Sequence, residues 1–444
     1  MHRCVLTLLL ILILLFSTII IFAAFVVSQG NNVASPANSG SIWNSNLENF
    51  VSEIAFNDNK LFAVDKQGIV RCFNALDGKS VWNSSASGNL ITSTLTVCQD
   101  KVFVGTLDSV VKSIDKYSGE TQQKFQAPIS DIGWKSAPSL TVANGAVLAS
   151  SGGGTYAYDT DTGEVLWNST IGAPLYWVYD YPQLFLPFKD GFFCVPTLSF
   201  LDAKNGNIIW DLPGVSRPPV FFEDRVILWN YEEAGNPGSG TTLLCVDASG
   251  LTLWSFDVGY LMYQPTICKD LVLFGAYDGN FYGVNLSNGD MEWKTHVTNQ
   301  NGRELIESEL PYYPLAPVAS QARVDQQGNR VFWSFAFIQS WGGIDEYTGV
   351  ACSLDITNGL VVWTNPIEKN MPISSDSAGL RFTSLGLALL DNDVFLTAGS
   401  DLWILSESTG NVAKTLHFDH YVLPPIVGEN MVFVVADLWL FAYS

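Results

Sequence analysis

Short apolar runs and alternating apolar–polar stretches, separated by clusters of Gly, Asp, Asn and Ser, recur from Lys60 almost to the C-terminus. That is the pattern of β-strands joined by tight turns. Residues 146–170, AVLASSGGGTYAYDTDTGEVLWNST, show the unit most cleanly. The apolar run 146–150 ends in small residues and three glycines, and Tyr156 and Tyr158 then alternate with small residues up to Asp159. Residues 160–163 make a second turn, and a further strand opens with Trp167 four places after Gly163.

The order Asp, Gly, Trp returns as Asp202, Gly206, Trp210 and as Asp355, Gly359, Trp363. Asn stands for Asp in Asn74, Gly78, Trp82 and in Asn285, Gly289, Trp293, while Asp247, Gly250, Trp254 is one residue tighter. Two units are degenerate: Asp115 and Gly119 lead to Phe125, and Ser406 and Gly410 lead to Leu416. The successive spacings along Trp167, Trp210, Trp254 and Trp293 are 43, 44 and 39 residues. A period near 40 built of short strands predicts an all-β propeller of four-stranded antiparallel blades. Eight complete units are visible, so eight blades are expected. A ninth stays open, because residues 422–444 supply strands with nothing after them and Trp43 looks like a fourth strand lacking its first three. Pairing the chain ends in one blade would close the ring and remove exposed edges.

With these motifs in place, the chain from residue 42 to 444 resembles the pyrroloquinoline-quinone-like repeat family, the tryptophan-docking propellers that include quinoprotein alcohol dehydrogenases and BamB-like assembly proteins. The resemblance implies that Trp43, Trp82, Trp167, Trp210, Trp254, Trp293 and Trp363 each pack against a neighbouring blade. The units at Phe125 and Leu416 are then the expected weak joints. The resemblance implies no single function, since such repeats serve binders and enzymes alike. The quinone enzymes carry a calcium-held cofactor and, in the alcohol dehydrogenases, adjacent cysteines; no two cysteines here are adjacent.

Residues 5–27 form an apolar run behind Arg3, long enough to span a bilayer. Residues 1–30 are expected to be one transmembrane or signal helix, either a retained anchor or a cleaved peptide, and residues 31–41 a polar tether. Positive charge on the N-terminal side alone places the propeller, 42–444, outside the cytoplasm, membrane-anchored or alternatively secreted. A net charge of −21, with only 22 Lys and Arg, argues against nucleic acid as a partner. Setting Cys4 aside, six cysteines remain, mostly within predicted strands of different blades, and are expected as buried thiols, with one or two disulfides open.

Candidate chemistry is sparse. Asp159, Asp161 and Gly163 lack the distal Glu of a calcium loop. His417 and His420 in HFDH read as ordinary loop histidines, and no metal site is assigned. Asn83, Asn168 and Asn285 open N-x-S/T sequons that could carry glycans in a secretory lumen.

The informative departures from the repeat are its insertions, at 173–187, 231–240, 297–317, 338–349 and 365–379. All follow a second or a fourth strand, so they emerge on one face of the ring. That face would combine Tyr176, Trp177, Tyr179, Tyr231, Tyr312, Tyr313, Trp341 and Tyr347 with Glu232, Glu233, Asp345 and Glu346. Aromatics among acids suit a protein or peptide partner. The expected function is a non-catalytic, monomeric binding or assembly platform without a cofactor; the alternatives are a quinone- or other cofactor-dependent oxidoreductase and a carbohydrate-binding propeller.

Overall fold

The computed structural model describes residues 40–65, 67–85, 95–106, 108–127, 138–151, 154–171, 185–195, 197–212, 218–231, 241–258, 264–276, 279–297, 316–341, 344–372, 385–419 and 422–444. Nine antiparallel sheets follow one another along the chain, eight of four strands and the seventh of five, where the short strand Arg323–Val324 adds to the four of the blade. They are blade 1 (51–85), blade 2 (96–126), blade 3 (139–169), blade 4 (185–211), blade 5 (220–257), blade 6 (266–296), blade 7 (316–372), blade 8 (386–417) and blade 9 (426–443 with 43–46). The ring therefore has nine blades, the larger of the two counts the repeats left open. In blade 9 the fourth strand, Trp43–Asn46, comes from the other end of the described chain and pairs antiparallel with Trp439–Tyr443, Trp43 opposite Ala442. The expected N-terminal helix lies outside the described residues; among the described residues no helix is long and apolar enough to cross a membrane.

Apolar residues of the second and third strands fill the spaces between blades. One cluster joins Phe62, Val64 and Trp82 of blade 1 to Val102, Val104 and Ile114 of blade 2. Another joins Leu273, Phe281 and Trp293 of blade 6 to Val331, Trp333 and Val350 of blade 7. Removing this surface from water, at about 25 cal/mol per Å², is what holds successive sheets together.

The repeat motif sits at these joints. In blades 1 to 8 the third and fourth strands carry a register shift beside the docking position, for example between Cys72, opposite Trp82, and Phe73, opposite Ser80. The extra residue re-aims the Trp toward the next blade. Each indole Nε1 then donates to the carbonyl directly after the turn Asp, Asn or Ser of that blade. Trp82 reaches Lys116 O at 3.0 Å, Trp167 reaches Ala203 O at 2.8 Å and Trp293 reaches Ile356 O at 2.9 Å. Trp43, Trp210, Trp254 and Trp363 do the same to Ala75, Ala248, Leu286 and Glu407. The turn glycine lies beneath the ring. At Gly289, with φ +78°, a Cβ would stand 2.8 Å from ring carbons of Trp254, so both the backbone and the close approach require glycine. The turn aspartates cap their own loops. Asp159 Oδ1 accepts from the amides of Asp161 and Thr162, and these bonds hold its carboxyl below the usual carboxylate range.

Two joints differ from the sequence reading. By register, the docking position of blade 2 is Gln123, opposite Ser113, and that of blade 8 is Lys414, opposite Ile404, each two residues before the apolar side chain expected there. Phe125 nevertheless stacks on Tyr158 at 4.5 Å, and the Tyr158 hydroxyl donates back to Gln126 O. Gln123 donates to Asp161 O. A Cβ on Gly163 would meet Phe125 only at 3.6 Å, so this contact is looser than under an indole. The carbonyl an indole would have taken, Thr160 O, accepts instead from Lys101 Nζ at 2.6 Å. Lys101 opens the second strand of blade 2, and Arg225 and Arg330, which open those of blades 5 and 7, reach the same kind of carbonyl at Leu286 and Glu407.

Lys101→Met is expected to destabilise the propeller by about 1.5–3 kcal/mol, the worth of a charge-assisted hydrogen bond whose acceptor is left unpaired. Adding Gln123→Trp should recover much of that loss by returning an indole donor to Thr160 O. Chemical denaturation of the single and double variants reads this directly, and equal stability of wild type and Lys101→Met would remove Lys101 from the joint.

Candidate binding face

Antiparallel order places every turn between second and third strands, and every link from a fourth strand to the next blade, at the same end of the sheets. The strand ends from which the five insertions leave therefore share one face, while the Asp–Gly turns lie at the opposite end. Part of what reads as loop is sheet. Residues 185–187 belong to the first strand of blade 4, Tyr231 ends the second strand of blade 5 opposite Thr241, and residues 316–317 begin blade 7. The largest difference is in blade 7, where 338–349 and much of 365–379 extend three strands, Arg330–Trp341, Ile344–Asp355 and Val361–Pro372, of 12 residues each.

The matching second strand of blade 6, Leu271–Gly275, has 5 residues. Both second strands start in equivalent register, Leu271 opposite Asn285 and Arg330 opposite Asp355. The surplus thus falls entirely on the candidate face and projects the sheet roughly 23 Å beyond its neighbour, at about 3.3 Å per residue. Ala316–Ala319 pairs with Phe335–Ile338 and extends the same sheet inward. Trp341 and Ile344 close the tip. Asp345 pairs with Ser340 and Met371, Glu346 with Gln339 and Asn370, and Tyr347 with Ile338 and Lys369. The outer edge of this long sheet contains Pro366, Glu368, Lys369 and Pro372, residue types that discourage pairing with another strand.

Trp341, Asp345, Glu346 and Tyr347 are thus brought together on one projecting hairpin, with Tyr231 at a strand end on the same face. Tyr176, Trp177, Tyr179, Glu232, Glu233, Tyr312 and Tyr313 lie outside the described residues.

The same face holds an ionic cluster that the motif reading missed. Asp65 is fully buried and Arg71 is 3% exposed. Arg71 Nη1 donates to Asp65 Oδ2 at 2.6 Å and Nη2 to Glu48 Oε2 at 3.3 Å, while Asn49 Nδ2 donates to Asp65 Oδ2 at 3.1 Å. Asp65 Oδ1 accepts from the amides of Gln67 and Ile69. Glu48 and Asn49 link the closing strand of blade 9 to blade 1, so the cluster bolts the seam of the ring. The signal available in the sequence was an Asp and an Arg on either side of one turn, which is too common to single out.

Other candidate chemistry resolves into local structure. His417 Nδ1 lies 2.7 Å from Asp401 Oδ1, and His420 lies outside the described residues. Cys72, Cys98, Cys194, Cys245, Cys268 and Cys352 are free. Burial pushes the Cys72 thiol up to about 12 and those of Cys194 and Cys245 to about 11, so they stay protonated and poorly nucleophilic. Among the described residues no group of three or more His, Cys, Asp and Glu side chains could hold a metal ion. With no adjacent cysteines either, the described residues do not fit a calcium-held quinone. Asn83 and Asn168 are exposed on fourth strands, whereas Asn285 caps its own turn and donates to Glu292 Oε1 at 2.9 Å.

The model of one protein family, outer membrane protein assembly factor BamB, matches residues 31–176 and 189–416. Over 227 residues the chain is 26% identical to the outer membrane protein assembly factor BamB of Burkholderia pseudomallei, covering 48% of this chain and 57% of that protein. Over 268 residues it is 24% identical to that of Shewanella oneidensis, covering 54% and 62%. The matched stretches span less than two thirds of either relative. Among solved structures, quinohemoprotein alcohol dehydrogenase ADHIIG from Pseudomonas putida superposes with a TM-score of 0.51 at 13% identity, over 89% of this chain and 71% of that one. BamB from Moraxella catarrhalis gives 0.48 at 13% identity, over 90% and 98%. At such identities the likeness to the dehydrogenase is one of fold alone.

Proposed function

The chain belongs to the outer membrane protein assembly factor BamB family, and from that premise we propose that it is a non-catalytic, extracytoplasmic β-propeller that holds a protein partner on the insertion-bearing face. The observation that carries this reading is the projecting sheet of blade 7, which presents Trp341, Asp345, Glu346 and Tyr347 beyond the neighbouring blade. Aromatic and acidic residues on a projecting hairpin suit a partner segment that combines basic and apolar side chains. The acids would draw it in and the aromatics would supply contact area. In this reading the propeller acts as a monomer and needs no cofactor, and residues 1–30 direct it to, or hold it at, a membrane.

Removing residues 338–347 and joining Phe337 to Thr348 through a two-residue Gly turn shortens the hairpin in register. Cross-linking of the full chain in its own cells should lose its principal partner with this variant, and with Asp345→Lys/Glu346→Lys, while the thermal transition of the purified propeller stays put. A partner retained by both variants at wild-type yield would move the binding site off blade 7.

A further inference from the structure

The fourth strand is the outer edge of each sheet, and its unpaired amides and carbonyls invite another chain unless something guards them. Most blades carry the guard in their sequence. Lys124, Asp211, Asp257, Lys294, Glu368 and Lys414 put a charged residue on the fourth strands of blades 2, 4, 5, 6, 7 and 8, and that of blade 9 has only 4 residues. Blades 1 and 3 are the exceptions. Their fourth strands, SVWNSS over Ser80–Ser85 and VLWNS over Val165–Ser169, hold no charge and no proline, and they leave Val81, Val165 and Leu166 half-exposed. The same two strands hold Asn83 and Asn168, each directly after its docking Trp, each exposed, and each opening an N-x-S/T sequence that ends in an exposed hydroxyl residue, Ser85 or Thr170. The third such sequence is built differently. Asn285 accepts from Ser287 N and donates to Glu292 Oε1, both at 2.9 Å, and Leu286 is buried with its carbonyl taken by Trp254.

We propose that Asn83 and Asn168 are N-glycosylated, and that the two glycans guard the edges of blades 1 and 3 in place of charge. The donor class is an oligosaccharide carried on a polyprenyl diphosphate. Asn Nδ2 forms a bond to the anomeric carbon of the first sugar, the bond from that carbon to phosphate breaks, polyprenyl diphosphate leaves, and the amide gives up one proton to a basic group of the transferase. A bulky, solvated group two residues from Val81 and from Leu166 keeps a second strand from approaching either edge. Such transfer takes place outside the cytoplasm, so this assignment rests on the extracytoplasmic placement of the propeller proposed above.

Mass spectrometry of peptides from the full chain, isolated from its own cells, reads the three sequences directly. Asn83 and Asn168 should carry sugar and Asn285 none. Ser85→Ala and Thr170→Ala, which leave the asparagines in place, should each remove one glycan. Asn83→Gln/Asn168→Gln should make the purified chain self-associate on size exclusion, whereas Asn83→Lys/Asn168→Lys, which returns a charge to each edge, should run as wild type does. Protease digestion of sealed vesicles, before and after detergent, locates the propeller independently. Bare asparagines on an extracytoplasmic chain overturn this assignment alone, and on a cytoplasmic chain they overturn both readings. A double Gln variant that runs as wild type would remove the guarding role.

Discussion

Trp293→Ala is expected to lower the stability of the propeller by about 3–5 kcal/mol, the usual cost of truncating a large buried aromatic. Trp293 is 8% exposed, stacks on Phe281 with ring centroids 6.2 Å apart, and belongs to the cluster that joins blades 6 and 7. Two glycines lie against its indole, Gly359 of the next blade and Gly283 of its own, each without room for a Cβ. Neither glycine has a side chain that could refill the space, so the cavity would stay open. Blade 7 also carries the longest strands in the ring, which makes this joint the support of the projecting sheet. Trp293→Phe should cost less, because it keeps most of the buried area and gives up chiefly the 2.9 Å bond to Ile356 O. Equilibrium unfolding in urea, followed by far-ultraviolet circular dichroism, separates the two. A loss under about 1 kcal/mol for the alanine variant would show that the indole is not a joint.

Asp65→Ala is the second large effect, again about 3–5 kcal/mol, because removing one member of a buried pair strands the other charge. Arg71 would keep only Glu48, whose carboxylate is largely solvent-exposed, and the amides of Gln67 and Ile69 would lose their acceptor. Asp65→Ala with Arg71→Met should recover part of the loss, since a buried pair replaced on both sides by apolar groups is often tolerated. The damage should fall first on the seam, as faster amide exchange in Trp43–Asn46 than in the corresponding fourth strands. Unchanged exchange there would detach the cluster from ring closure.

The fold was legible because its joints are written locally. An indole that must lie over a glycine and reach one carbonyl demands Trp, Gly and Asp or Asn at set spacings, and the demand repeats in blade after blade. The number of blades was less legible, because blade 9 is divided between residues 43–46 and 426–443 and the docking position of blade 8 is Lys414. The candidate face was legible as a set of insertions, but not as structure. IQSWGGIDEYTG breaks the repeat and so reads as loop, whereas cross-strand pairing continues straight through it to Trp341 and Ile344.

By itself the sequence determined the strands, the docking tryptophans and the end of the ring from which the insertions leave, because each depends on residues close together in the chain or repeated at a constant period. Only the tertiary structure decided which groups replace a missing indole, what bolts the seam and which carbonyls of a neighbouring blade an arginine reaches. Lys101 meets Thr160 O across 59 residues, Arg71 meets Glu48 across 23, and Arg323 meets Leu387 O across 64. Those contacts have no period and no local pattern, since neighbouring sheets bring them together only when the ring closes.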